Sequence, residues 1–100
     1  MNINITSRKF KAKDSLKDYI EEEIKALHKF NDDILEANVI LSYTHNKDSI
    51  KTAEIIMQVP GKVLSAANTS DEFSKAVSGA LEKITRQLKK IKSKKIAKTR

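Results

Sequence analysis

Polar and apolar residues alternate strictly from Asn2 to Thr6, with Ile3 and Ile5 on one side and Asn2, Asn4 and Thr6 on the other, the period of a half-buried strand. The period then changes. Leu16, Ile20, Ile24 and Leu27 recur at steps of four, four and three, with Tyr19 at the margin, and predict an amphipathic helix. Asp14 and Ser15 offer side-chain oxygens to the free amides at its start, and Asn31-Asp32-Asp33 closes it. Between strand and helix, Arg8 to Lys13 is a short basic connection with Phe10 as its only anchor. Alternation returns at Ala37, Val39, Leu41 and Tyr43, set against Asn38, Ile40, Ser42 and Thr44. His45 to Ser49 reads as a hairpin loop, and Lys51 to Val59 as a third strand with Ala53, Ile55, Met57 and Val59 on one face. Pro60-Gly61 marks a turn, because Pro presets one turn angle and Gly permits a positive one. Val63, Ser65 and Ala67 then alternate with Leu64 and Ala66 in a fourth strand. Asn68 to Asp71 is dense in helix-capping residues and leads into a last helix with apolar residues at 73, 76, 77, 80, 81, 84 and 88.

The order strand, helix, strand, strand, strand, helix predicts an α+β fold, β-α-β-β-β-α. Each helix has one apolar stripe, so both pack on one face of a four-stranded sheet. A strand–helix–strand crossover makes the first two strands parallel, and the remaining strands follow as antiparallel hairpins. The face turned away from the helices would then show Asn2, Asn4, Thr6, Asn38, Ser42, Thr44, Thr52, Gln58 and Lys62, with Ile40, Ile56 and Leu64 among them. No linker or repeat divides the chain, which reads as a single domain over residues 1–92. Beyond Lys92 the apolar period fades, and 93–100 reads as a frayed basic arm.

Composition narrows the chemistry. One hundred residues suit one modest core, and the absence of cysteine excludes disulfides and thiolate metal sites. Neither a leader-like N-terminus nor a membrane-length apolar run is present, which points to a cytoplasmic protein that does not engage membranes. The charge is segregated. From Lys83 onward the chain holds nine cations and no acid, against a whole-chain net of +7, which leaves residues 1–82 two units negative. The first helix is acidic outside, through Asp14, Asp18 and Glu21 to Glu23. A polyanion is the partner this distribution suits.

Residues for catalysis are lacking. His28 and His45 have no partner at metal-ligand spacing, and Glu21, Glu22 and Glu23 diverge by about 100° each around a helix. Gly61 and Gly79 are the only glycines, too few for a phosphate-cradling loop. The reading is a protein with no catalytic residue, no metal and no cofactor. By contrast Lys83, Arg86, Lys90 and Lys94 fall at steps of three, four and four and predict a row of cations opposite the core, with Gln87 beside it. A merely solubilising face would not need its charge so segregated. The sheet's open face lacks the aromatic platforms of single-strand binders, so contact with a folded nucleic acid would go through shape and backbone. Two other readings stay open: a generic double-stranded-RNA-binding module, and a protein–protein adaptor working through the acidic first helix.

Three stretches carry a resemblance: Met1 to Thr6 at the start, Leu16, Tyr19-Ile20 and Leu27 to Phe30 on the first helix, and Lys83-Ile84-Thr85-Arg86-Gln87-Leu88-Lys89-Lys90-Ile91-Lys92 on the last. Together they resemble the ribosome hibernation promoting factor family, which includes the ribosome-associated inhibitor called protein Y. The chain departs from the usual pattern at Glu23, where a lysine is common, and in the interval from Asp71 to Lys83, which is one residue longer. The resemblance implies a sheet and helices like those of a double-stranded-RNA-binding domain with an extra strand. It implies binding to the small ribosomal subunit and its 16S rRNA, within the 70S ribosome, over the decoding region. There such proteins block the messenger and transfer RNA sites in stationary phase or stress. Lys83, Arg86, Lys90 and Lys92 stand in the matching pattern as rRNA contacts, with Lys94 as an extension. Ending at Arg100, the chain is similar to the short form of the family, a monomer when free that acts with a separate ribosome modulation factor to promote ribosome dimers.

Overall fold

The computed structural model describes residues 2–29, 33–43 and 50–98, with 92–98 in backbone only. Strand β1 (Asn2–Ser7) leads to helix α1 (Asp14–Lys25), which tightens into a 3-10 turn over Ala26–Lys29. Strands β2 (Glu36–Tyr43), β3 (Lys51–Val59) and β4 (Lys62–Ser70) follow, and helix α2 (Phe73–Lys98) ends the fold. The sheet order is β1-β2-β3-β4, with β1 and β2 parallel and the other pairs antiparallel. This is the expected α+β arrangement. The expected hairpin loop at His45 to Ser49, and Thr44, lie outside the described residues.

The core follows from the strand period. Ala37, Val39 and Leu41 of β2 stand opposite Met57, Ile55 and Ala53 of β3, and all six are buried. Ile20 and Ile24 of α1, and Ala76, Val77, Ala80, Ile84 and Leu88 of α2, close over that face with no exposed surface left. Ile3 and Ile5 of β1 pack against the same cluster. Among the described residues every buried side chain is apolar. The core holds the sheet against the helices and contributes no polar group to a site.

Three local expectations are corrected. Asp14 and Ser15 do not cap α1. Lys13 occupies the capping position, no side chain bonds the first amides, and Asp14 sits in the first turn, where its charge suits the helix dipole. Phe10 is not the only anchor of the basic connection, since Ala12 is buried as well. The third correction concerns β4. Gly61, at φ 76°, lets the chain reverse in two residues, so Val59 pairs with Lys62 and Met57 with Leu64. Directly paired residues share a face, which puts Leu64 in the core, 2% exposed, and Lys62 on the helix side. The open face carries Val63 instead, 62% exposed. Asn68 to Ser70 do not lead into the helix as a cap. They continue β4, pairing with Ala53, Thr52 and Lys51, and only Asp71 and Glu72 separate strand from helix. A partner strand already in place outweighs the capping preference of these residues.

At the other end, α2 stays helical to Lys98, past the point where its apolar spacing fades. Lysine has good intrinsic helix propensity, so loss of the core-facing stripe does not end the helix.

Candidate nucleic-acid interface

Helix α2 runs along β4, the edge strand of the sheet, in a direction that matches their repeats. Four helix residues rise about 6 Å and two strand residues about 6.6 Å, so side chains at i, i+4 meet backbone groups at j, j−2. Lys83 Nζ donates to the carbonyl of Ala67 at 2.8 Å, and Gln87 Nε2 to that of Ser65 at 2.9 Å. One turn earlier, Gly79 faces the side-chain amide of Asn68, and a Cβ at position 79 would collide with it. One turn later, Lys90 and Ile91 border a small hollow with Lys62 and Leu64.

The expected cation row is therefore built differently from a stripe opposite the core. Lys83 and Gln87 lean onto the sheet edge, with their amine and amide engaged by carbonyls. Arg86 points outward and pairs with Glu82 at 2.8 Å, a bond between side chains 69% and 66% exposed. Such a pair contributes about 0.3–0.5 kcal/mol and opens readily toward a better anion. Lys90 is exposed beside it. Together Lys83, Arg86 and Lys90 form a ridge above the β4 edge, and Lys62 joins it from the strand. Alternation along β4 alone places Lys62 on the open sheet face; the two-residue Pro60-Gly61 reversal is the signal that places it on the helix side, opposite Val59. The side chains of Lys92 and Lys94 lie outside the described residues.

The opposite flank of α2 is negative by one unit: Glu23 of α1 and Glu82 of α2 border the furrow between the helices together with Lys29, Ser78 and Thr85. Asp14, Asp18, Glu22 and Glu23 are exposed on α1. A polyanion can approach the ridge from the β4 side, and α1 repels it from the other. The open face of the sheet carries two acids, Glu36 and Glu54, and no cation among its described strand residues, with Asn4 donating to Asn38 at 3.0 Å and Asn38 to Glu36 at 3.2 Å.

At the start of α2, Ser70 Oγ donates to Asp71 Oδ1 at 3.0 Å, and Lys75 lies 3.6 Å from Asp71 and 3.5 Å from Glu72. The Ser70 hydroxyl first, then the Lys75 charge, hold the Asp71 carboxyl below its ordinary 3.8; Asp71, then Glu72, raise the Lys75 amine. Neither departure marks a reacting group, since all three side chains stand in water. Among the described residues no cluster of His, Asp and Glu could hold a metal ion. No described helix is long and apolar enough to cross a membrane.

Residues 3–96 match the family described as Sigma 54 modulation protein / S30EA ribosomal protein. The chain belongs to that family. It is 31% identical over 96 residues to a ribosome hibernation promoting factor of Azotobacter vinelandii, covering 96% of this chain and 87% of that one. It is 29% identical over 94 residues to a ribosome-associated factor Y of Haemophilus influenzae, covering 94% and 85%. The crystal structure of the Thermus thermophilus protein Y N-terminal domain superposes with a TM-score of 0.81 at 26% identity, over 91% of this chain and 99% of that one. The family resemblance borne by the first helix and the last thus extends over nearly the whole chain.

Proposed function

We propose that this protein is a ribosome hibernation factor that binds the small ribosomal subunit through the α2 ridge and silences it by occupation. The observation that carries the proposal is the segregated ridge of Lys83, Arg86 and Lys90 on a rigid helix, in a member of a family whose relatives are named for ribosome association. The ridge supplies fixed cations to phosphates, each contact releasing condensed counterions at little further ordering cost. The partner on this reading is 16S rRNA at the decoding region, where the bound domain would exclude messenger and transfer RNA. Lys92, Lys94 and the basic stretch 93–100 would continue the phosphate track as an arm. Such a mechanism needs no catalytic group, cofactor or metal. It would operate in the cytoplasm during stationary phase or stress, on the whole 70S ribosome, with a free monomer that acts beside a ribosome modulation factor in forming dimers.

The sign reversal across α2 supports an orientation. With Glu23 and Glu82 facing the same furrow, α1 would sit away from the phosphates and the β4 edge toward them. The test is binding of labelled protein to isolated small subunits at a series of salt concentrations. The logarithm of affinity should fall linearly with the logarithm of salt, by about 0.7–0.9 per phosphate contact. Naked duplex RNA at equal phosphate concentration should fail to compete. Effective competition by the duplex would replace this reading with that of a generic double-stranded-RNA module.

A further inference from the structure

The aromatic residues absent from the sheet's open face are gathered elsewhere. Phe10, from the basic connection, stacks on Phe73, the first residue of α2, with ring centroids 4.9 Å apart and planes 13° from parallel. Tyr43, at the end of β2, meets Phe10 edge-on at 5.4 Å. Tyr19 of α1 joins Phe10, Phe73 and Leu16 in lining a groove of about 560 Å³, within the range of small-ligand sites. Phe73 is brought from far along the chain to Phe10, Leu16 and Tyr19, and all four are half-buried, so ring surface remains open to the groove.

Charge at the mouth selects the occupant. Lys11 and Lys13 line the groove, both exposed, and neither holds an ion pair or side-chain hydrogen bond among the described residues. Lys51 lies over the Phe73 ring, 5.9 Å from its centroid, and donates to the Asp71 carbonyl at 3.0 Å. The two acids of the rim, Asp71 and Glu72, share the single cation of Lys75. With Lys11, Lys13 and Lys51 counted, four cations face two acids, so the mouth is positive above a floor of aromatic and aliphatic side chains. A flat, anion-bearing ligand complements both features, and stacked bases on aromatic side chains beside cations are how single-stranded nucleic acids are held.

We propose that this groove takes one unstacked nucleotide of single-stranded RNA, its base against Phe10, Tyr19 and Phe73 and its phosphates on Lys11 and Lys13. The site is separate from the α2 ridge and rests on the ribosome reading only for the source of the RNA. A protein that grips a folded RNA along one helix could thereby also hold an unpaired base at the end of the molecule where β1, β2 and both helix starts meet.

The test is nuclear magnetic resonance of the full labelled chain titrated with a tetra-adenylate RNA, an abasic tetramer of the same charge, and an acidic tyrosine-containing tetrapeptide. The proposal expects saturable shifts of the Phe10, Tyr19 and Phe73 ring signals with tetra-adenylate and no ring shifts with the abasic strand. Binding should weaken about tenfold or more in Phe73→Leu, which keeps an apolar side chain in place, and also in the double Lys11→Ala, Lys13→Ala variant, which touches no core residue. Shifts confined to α2 beyond Lys83, equal ring shifts with the abasic strand, ring shifts with the peptide alone, or unweakened binding in the lysine variant would each overturn it. Failure here leaves the ribosome reading intact, because wild-type binding to small subunits is read separately.

Discussion

Single residues set the spacing between α2 and β4. Gly79 stands in the middle of a helix, where glycine is about 1 kcal/mol less favourable than alanine, and its place is explained by the Asn68 amide packed against it. Gly79→Ala alone should thus gain less stability than the helix preference promises. In an Asn68→Ala background the same substitution should gain the full amount. Denaturant midpoints of the four proteins measure the difference, and additive effects would contradict the contact. Neither member of this pair was legible in the chain, since Asn68 reads locally as a capping residue and Gly79 as a simple interruption. Asp71 offers a second test. Its carboxyl is held down chiefly by Ser70 and then by Lys75, so this contribution to the start of α2 is complete above the ordinary carboxylate value of 3.8 and is lost as pH falls through the lower folded value. A carboxyl titration followed by carbon resonance should place its midpoint below 3.8, and Ser70→Ala should move it upward.

At the scale of elements, the seam between α2 and β4 accounts for two roles in one helix face. Lys83 and Gln87 occupy carbonyls on the outer side of an edge strand, which otherwise offers unpaired backbone groups to another chain. Replacing both with alanine should cost at most about 1–2 kcal/mol in all, because each bond is exposed. The same variant should associate with itself more readily, by pairing at β4, as measured by light scattering at rising concentration. An unchanged monomer would mean that the edge is guarded by something other than these side chains. The strands and helices themselves were legible because Ile3 and Ile5, Ala53 to Val59, and Leu16 to Leu27 hold strict periods of two or near four. The phase of β4 was not. Val63, Leu64, Ala66 and Ala67 put small apolar residues on both faces, so only the two-residue reversal at Pro60-Gly61 decides that Leu64 faces inward. Long-range convergence was equally hidden: nothing local in the sequence brings Phe10 onto Phe73.

Over the whole molecule, charge and shape act together. The ridge of Lys83, Arg86 and Lys90, extended by Lys62, lies on the β4 side of α2, while the acidic outer face of α1 lies across the furrow. The segregation of cations beyond Lys83 was visible in the chain; the use of Lys83 and Gln87 as sheet-edge contacts was not, because it depends on which strand the helix lies along. On this account the ridge, and Arg86 and Lys90 above all, holds the small subunit, since both residues are exposed and neither supports the core. The measurement that tests this most directly is gradient sedimentation of purified ribosomes with the wild-type protein and with the double Arg86→Glu, Lys90→Glu variant. Wild-type protein should travel with small subunits and whole ribosomes at low salt and be released at high salt. The variant loses the Arg86–Glu82 pair and gains like-charge neighbours at i,i+4, so its unfolding free energy should fall by only about 1 kcal/mol, and it should remain at the top of the gradient. A variant that sediments with ribosomes as the wild type does, or a wild type that stays at the top even at low salt, would contradict the account.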